Sequence, residues 1–360
     1  MSAPPVAEGN AAQVRAVRAL PPAELEARAI ACGAKPFQAR ALRDWIWVRG
    51  ARSFDAATNV PKRVRTALAS EFEASAARIL ETSLSADGTR KFLLGLSDGE
   101  TIEMVLIPQG DRVTLCMSTQ VGCPVACVFC ASGLDGIRRN LTSAELLEQF
   151  VLAQEQLSPG PSGSRPLTNL VVMGIGEPML NLDALEDALT RIADPELFAF
   201  SPRRVTVSTS GYPDRIRRLA GLGKPFQLAV SLHAADPELR KRLVPTATVE
   251  PIELVHAAQD YARMTGREPT FEVVLLDGIN DRPNDAGALV HLLRETPCTV
   301  NLIPWNRVDG VDPRFMRPGD ALVERFQSLL EAGGLKVTWR RRRGHDRDAA
   351  CGQLRLRSGH

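Results

Sequence analysis

The sequence predicts an α/β protein: an open, partial barrel of about six parallel strands, a partial (βα)6 barrel, preceded by a small helical domain and a β-hairpin extension. Three observations predict it. From residue 111 onward, short β-branched runs alternate with helical stretches, a βαβα rhythm that implies parallel strands joined by right-handed crossovers. Before it, residues 77–85 and 89–96 alternate with period two around Asp87-Gly88, a strong hairpin turn signal. Earlier still, residues 21–75 carry apolar side chains at helical spacing. Six strands are too few to close an eight-stranded barrel. The expected divisions are a disordered tail (1–20), a helical accessory domain (21–75), a hairpin and strand extension (76–110), the barrel (111–344) and a C-terminal segment (345–360).

Taken in order, Pro22 suits a first helical position and Gly33 a stop. A second helix is expected from Pro36 to Gly50, with Phe37, Ala41, Leu42, Trp45 and Ile46 along its apolar face. A third follows Pro61, with Val60, Val64, Leu68 and Phe72 as a core stripe. Arg40, Arg43, Arg49, Arg52, Lys62, Arg63 and Arg65 occupy the polar sides, either as a solvated face or as a grip on RNA phosphates. A third strand of the extension is expected at 100–107, with a division near Gln109-Gly110. In the barrel, strands are expected at 113–118, 169–173, 204–208, 227–231, 270–275 and 299–303. Thr142 and Glu145 form a capping box for a helix over 142–156, and 158–166 is a Pro/Gly/Ser-rich loop. In such folds functional residues gather at the C-terminal ends of the strands. There lie a cysteine loop, a Gly-Glu-Pro turn, Ser208, Ser231 and Asn301 or Asn306.

The 360 residues and 44% apolar content allow one large domain and a small one. No run of about 18 apolar residues is present, so no membrane span is expected. The first residues lack the basic and apolar regions of a signal peptide. With an odd count of seven cysteines, this argues against a disulfide scaffold and for a reducing cytoplasm. The net charge of +2 excludes a uniformly basic chain, although arginines cluster locally.

Cys123, Cys127 and Cys130 stand in a CxxxCxxC spacing that can aim three thiolates at one centre. Structural zinc normally takes four protein ligands, and an electron-carrying [4Fe-4S] cluster four cysteines. Three thiolates on a four-iron cluster leave one iron open for an outside ligand. A three-cysteine zinc site with a distant fourth ligand remains open on spacing alone, as does chance. Gly174-Ile175-Gly176-Glu177-Pro178 follows a strand, and its glycines let backbone approach a ligand while Glu177 or nearby carbonyls bind an ammonium group. Ser208-Thr209-Ser210-Gly211 and Ser231-Leu232-His233 end strands and offer hydroxyls and an imidazole to ribose and carboxylate oxygens. A Ser-His-Asp hydrolase is disfavoured because no Gly-x-Ser-x-Gly elbow is present. Cys351 lies just beyond Arg340-Arg341-Arg342-Arg343, which would lower its thiol pKa if folded over it and would attract phosphates. The bland reading is a buried, inert cysteine beside a solvated charge run.

The cysteine spacing resembles the radical S-adenosylmethionine (SAM) superfamily. Together with Val121-Gly122-Cys123, Val172-Met173-Gly174-Ile175-Gly176-Glu177-Pro178, Ser208-Thr209-Ser210-Gly211, Ser231-Leu232-His233-Ala234, Asn301-Leu302-Ile303-Pro304-Trp305-Asn306 and Ala349-Ala350-Cys351-Gly352-Gln353-Leu354, the chain resembles the radical-SAM RNA methyltransferases of the RlmN/Cfr group, over nearly its whole length. The resemblance implies a [4Fe-4S] cluster on Cys123, Cys127 and Cys130, and two SAM molecules per turnover. It implies SAM contacts from Gly176, Glu177, Ser208, Ser231, Leu232, His233 and Asn306. Cys351 would accept a methyl group and carry it to adenine through a covalent RNA link. Cys116 would resolve that link through a transient disulfide with Cys351, and Glu103 would accept a proton. The implied substrates are C2 of a peptidyl-transferase-centre adenine in 23S rRNA and of an anticodon-loop adenine in tRNA. A flavodoxin-like electron donor is implied, and a monomer is the default. Alternatives are C8 methylation of the same rRNA base, as in the resistance branch, and a catalytically silent RNA-binding iron–sulfur protein. The segment Gly344-His345-Asp346-Arg347-Asp348 departs from the family's usual Gly-Asp-Asp-Ile-Asp.

Overall fold

A computed structural model describes residues 15–157, 166–339 and 352–354 of the chain. The N-terminal part holds α1 (Pro22–Ala31), α2 (Pro36–Arg43) and α3 (Lys62–Glu71). Its first strand, β1 (Arg15–Ala16), pairs in parallel with β2 (Phe72–Glu73). Residues 15–20 are therefore not tail: Val17, Arg18 and Leu20 are fully buried. The composition-based expectation failed because a few apolar residues after a polar, Ala-rich run give no periodic signal.

The α3 stripe is buried as expected, with Val60, Val64, Leu68 and Phe72 in the core. The second helix differs. After Arg43 it widens into a π-helical segment, Asp44–Val48. Widening from 3.6 residues per turn rotates the later side chains. Ile46 and Trp47 within it are fully buried, while Phe37, in the first turn of α2, is 58% exposed.

Ten strands form one sheet in the order β14-β13-β12-β11-β10-β9-β6-β5-β4-β3. The extension is β3 (Ala77–Leu84), β4 (Arg90–Leu96) and β5 (Thr101–Gln109), antiparallel to one another. Next comes β6 (Arg112–Cys116), antiparallel to β5 across a tight turn. The division near Gln109-Gly110 thus falls inside a continuous sheet. β7 (Gln120–Gly122) and β8 (Ile137–Asn140) make a separate ribbon. The remaining strands are β9 (Asn169–Val172), β10 (Val205–Thr209), β11 (Gln227–Ser231), β12 (Thr270–Leu275), β13 (Thr299–Pro304) and β14 (Lys336–Trp339), running parallel to one another and to β6. Among the described residues the parallel set therefore counts seven strands. The extra one, β14, is a short, half-exposed edge strand, too brief for its alternation to stand out.

The parallel strands are apolar because helices cover them. These are α4 (Ser143–Leu157), α5 (Leu182–Ala193), α6 (Pro213–Gly221), α7 (Pro237–Leu243), α8 (Pro251–Thr265), α9 (Pro283–Leu293) and α10 (Asp320–Ala332). In α5, for example, Leu182, Leu185, Ala188, Leu189 and Ile192 recur at helical spacing and are all buried. The capping box of α4 is present: Thr142 N–H donates to Glu145 at 2.7 Å and Glu145 N–H to the Thr142 hydroxyl at 3.3 Å.

Helix α4 ties the accessory domain to the barrel. Arg18, 1% exposed, donates to Glu148 at 2.7 Å and to the carbonyls of Ile46, Ala51 and Ala74. Arg52 and Ser75 reach the other Glu148 oxygen at 2.8 and 2.6 Å. A fully buried carboxylate is thus satisfied by two guanidinium groups and a hydroxyl, the condition for a buried charge to persist.

Candidate active site

The loops after the parallel strands converge on one cavity of about 170 Å³, more than the ~10–15 Å³ that a single water needs on the same measure. It opens beside the loop between β7 and β8, which carries the three cysteines. Gly122 closes the base of that loop with φ +80°, and a Cβ there would lie 1.9 Å from the Gly136 carbonyl oxygen. Only glycine permits this closure, which Cys123 N–H completes by donating to the same oxygen at 2.8 Å.

Three neighbours hold the rest of the loop. Val128 N–H donates to the Leu243 carbonyl at 3.1 Å. The Thr246 hydroxyl donates to the Val125 carbonyl at 2.8 Å, and Trp305 Nε1–H to the Phe129 carbonyl at 2.9 Å. The apolar side chains of α7 and of the loop form their own small core. Backbone contacts from separate elements thus preset the cysteines, as a ligand cage requires.

Cys123, Cys127 and Cys130 all line the cavity. Burial pushes the Cys123 thiol up to about 12, and nearby anionic groups add to the rise. Burial raises Cys127 and Cys130 as well, and for Cys127 the two neighbouring thiolates add to it. Such thiols ionise together only when a metal centre binds them. Among the described residues no three His, Cys, Asp or Glu side chains gather closely enough for a single ion. Three thiols around one cavity fit the broader four-iron cluster, which they would hold with one iron free of cysteine.

Glu177, 3% exposed, lines the same cavity as the cysteines. Its Oε1 accepts from Met179 N–H at 3.0 Å and its Oε2 from Ser210 N–H at 2.8 Å. No basic group pairs with it among the described residues, and burial raises its pKa. A buried carboxylate held by backbone N–H groups and the hydroxyls of Thr209 and Ser210, with no cation in ion-pair contact among the described residues, suits an incoming ammonium group. Gly176 shapes the turn before it with φ +110°: a Cβ there would lie 2.7 Å from Gln120 Cβ and Thr119 Oγ1.

Ser208, Ser231, His233 and Asn306 line the same cavity, as do Cys116 and the unanticipated Glu272. His233 sits at φ +64°, a left-handed conformation uncommon for a non-glycine residue. Burial, then the Arg240 cation, lowers its pKa to about 3, so the imidazole is neutral. Val274 N–H donates to its Nδ1 at 3.3 Å, and its ring meets Phe129 edge-on at 4.9 Å. Glu272 positions this turn, its carbonyl accepting from the N–H groups of Leu232 and His233. A lone acidic residue in an apolar strand gave only a faint sequence signal.

Three expected site residues do not line the cavity. Leu232 is fully buried in the main core. Gly176 acts through the turn it permits. Glu103, 1% exposed, pairs with Lys91 at 3.1 Å on the sheet. It shares a face of β5 with Val105, the strand partner of Cys116, and with Ile107, which does line the cavity. Asn301 hydrogen-bonds to Glu272.

Cys351 and the arginine run at 340–343 lie outside the described residues, as does the 345–348 segment. Gly352 and Leu354, which follow Cys351 in sequence, line the cavity. The Gly352 carbonyl accepts from Ala131 N–H at 2.8 Å, and the Leu354 carbonyl from the Ser132 hydroxyl at 2.7 Å. The described cysteines form no disulfide with one another. In the accessory domain, Arg43 pairs with Glu26 and Asp44, Arg52 with Glu148 and Glu155, and Arg65 with Asp55. Arg49 stacks over Trp45 at 4.4 Å. Part of the expected phosphate grip is therefore engaged within the protein. No described helix is long and apolar enough to cross a membrane.

Comparison with known proteins fits this geometry. The Radical SAM superfamily model matches residues 117–286, and the model of the ribosomal RNA large subunit methyltransferase N-terminal domain matches residues 18–74. A probable dual-specificity RNA methyltransferase RlmN from Rhodopirellula baltica is 44% identical over 91% of this chain and 87% of its own length. A dual-specificity RNA methyltransferase RlmN from Desulfosudis oleivorans is 46% identical over 89% and 85%. The crystal structure of a radical SAM methyltransferase from Sphaerobacter thermophilus superposes with a TM-score of 0.89 at 42% identity. That match covers 95% of this chain and 99% of the other.

Proposed function

The chain belongs to the RlmN family of the radical SAM superfamily, and from that premise we propose that it methylates C2 of an adenine in 23S rRNA and C2 of an adenine in tRNA. The observation that carries the proposal is the single cavity that brings together the three loop cysteines, the uncompensated Glu177, Cys116 and the residues following Cys351. The dual specificity in the relatives' names supports two RNA substrates.

Cys123, Cys127 and Cys130 hold the [4Fe-4S] cluster. When bound, the cluster supplies the electron that cleaves SAM. Glu177 takes the SAM ammonium group, and Ser208, Ser231 and Asn306 orient the rest of the molecule from the strand ends. His233, neutral and held by Val274, adds a flat wall without a competing charge. Cys351 accepts a methyl group from one SAM molecule and delivers that carbon to the adenine ring while a second SAM is consumed. This route suits an amidine-type ring carbon, which is electron-poor and lacks a lone pair with which to attack SAM. Glu103 accepts the proton that must leave the ring carbon, the odd electron passing to the external electron-transfer partner. The Cys116 thiolate then attacks the Cys351 sulfur, so that a disulfide forms as the carbon–sulfur bond breaks and the released carbon takes a proton to become the methyl group. An external low-potential donor, flavodoxin-like, supplies the electrons.

The test is mass spectrometry of nucleosides after anaerobic incubation of cluster-loaded protein with SAM, a reductant and unmodified 23S rRNA or tRNA. Formation of 2-methyladenosine is expected. Formation of 8-methyladenosine would refute the C2 assignment and move the enzyme to the C8 branch. Cys116→Ala is expected to accumulate protein covalently linked to RNA, visible as a shifted band on a denaturing gel. A silent RNA-binding protein would show neither product nor adduct.

A further inference from the structure

Among the described residues, Arg18 and Arg240 are the arginines classed as buried, at 1% and 2% exposure. They are solved in opposite ways. Arg18 has the carboxylate of Glu148 at 2.7 Å. Arg240, on α7, has no carboxylate in ion-pair contact among the described residues. Its Nη2 donates to the Ser210 carbonyl and its Nη1 to the Val249 carbonyl at 3.3 Å, while its buried Nε has no partner. A buried cation without an anion is strongly unfavourable unless its counter-charge lies elsewhere.

The geometry shows where that counter-charge belongs. One turn beyond Arg240, the Leu243 carbonyl takes the N–H of Val128, the residue after Cys127. Leu239, Leu243 and Val244 pack in the same small core as the cysteine loop. Ser210, which Arg240 grips, lines the cavity with the three cysteines, and its N–H holds Glu177. Beyond ion-pair distance, two anionic groups offset the burial of Arg240, the Cys127 thiolate first and the Glu250 carboxylate second.

We propose that Arg240 is the fixed counter-charge of the iron–sulfur cluster, a positioning residue that favours the cluster's reduced state. The inference rests on the cluster assignment made above. A doubly positive four-iron core held by three thiolates carries one net negative charge, and two after gaining an electron. A fixed cation in a water-poor site stabilises the second state more than the first. A role in hydrogen bonding alone predicts something different, because losing the grip on Ser210 would destabilise the protein with or without the cluster.

The experiment compares full-length wild type, Arg240→Gln and Arg240→Lys. Thermal unfolding is measured on the cluster-free proteins. Iron content and midpoint potential are then measured after anaerobic reconstitution, by dithionite titration with redox mediators and electron paramagnetic resonance, without SAM or RNA. In Arg240→Gln the cluster-free protein should melt at the wild-type temperature or higher, because an unpaired buried cation has been removed. Its cluster should titrate at a more negative potential, and Arg240→Lys should restore most of that shift. A folded Arg240→Gln that takes up no cluster, beside an Arg240→Lys that does, supports the same conclusion.

An unchanged potential in cluster-loaded Arg240→Gln overturns the inference. So does failure of both variants to bind the cluster, or a lower melting temperature or loss of folding in cluster-free Arg240→Gln. If wild type binds no iron, the radical reading itself falls, which is a separate result.

Discussion

Replacing Gly122 with alanine tests whether the cysteine loop is built to place ligands. The residue sits at φ +80°, where an L side chain costs ~1–2 kcal/mol. The added Cβ would lie 1.9 Å from the Gly136 carbonyl oxygen, whereas a comfortable carbon–oxygen contact is about 3.3 Å or more. Either strand of the ribbon must therefore retreat by more than about 1 Å. That movement breaks the 2.8 Å hydrogen bond from Cys123 N–H to Gly136, worth about 1 kcal/mol. The summed penalty is about 2–3 kcal/mol, and Cys123 shifts away from Cys127 and Cys130. Gly136→Ala is the matched control: its φ is also positive, at +67°, but a Cβ there meets nothing within 4 Å. Iron and sulfide per chain after anaerobic reconstitution, with the melting temperature of the cluster-free protein, read out both effects. Gly122→Ala should lose most of its cluster, whereas Gly136→Ala should keep it and lose only the ~1–2 kcal/mol of backbone strain. Equal iron content in the two variants would refute the argument that close backbone approach at Gly122 sets the cage.

Two further outcomes are expected. Glu148→Ala strips Arg18, Arg52 and Ser75 of a shared, fully buried carboxylate and should lower stability in urea denaturation by about 3–5 kcal/mol; a loss under about 1 kcal/mol would mean that the network does not tie the accessory domain to α4. Glu177→Gln should weaken SAM binding to the cluster-loaded protein by about tenfold or more, the weight of one charge-assisted contact. In the wild type that binding should weaken as pH falls through the raised pKa of Glu177, because protonation removes the charge that attracts the ammonium. The Gln variant should show no such dependence, and a wild-type affinity in that variant would remove Glu177 from the ammonium site.

Much of the site is legible in the sequence because it is local. Cys123, Cys127 and Cys130 are neighbours in one loop, and the Gly-Glu-Pro turn follows its strand directly. Short-range spacing and strand-end placement therefore singled them out, together with Ser208, Ser231 and Asn301 or Asn306, of which all but Asn301 line the cavity. The same locality gave the α4 capping box and the α3 stripe. Where local rules compete with packing, the reading failed. The π-helical segment at Asp44–Val48 buried Trp47, Phe37 in the first turn of α2 stayed exposed, and the half-exposed β14 left no clear alternation.

By itself, then, the sequence determined the family, the α/β rhythm and the set of chemically capable residues, because each is written in contiguous motifs. Tertiary structure decided which charges are balanced. Glu148 meets Arg18 from 130 positions away, several accessory arginines pair with carboxylates of the protein, and Arg240 is buried with no carboxylate in ion-pair contact among the described residues. Those outcomes depend on distances between elements and on exclusion of water, and neither is encoded in the spacing of residues along the chain.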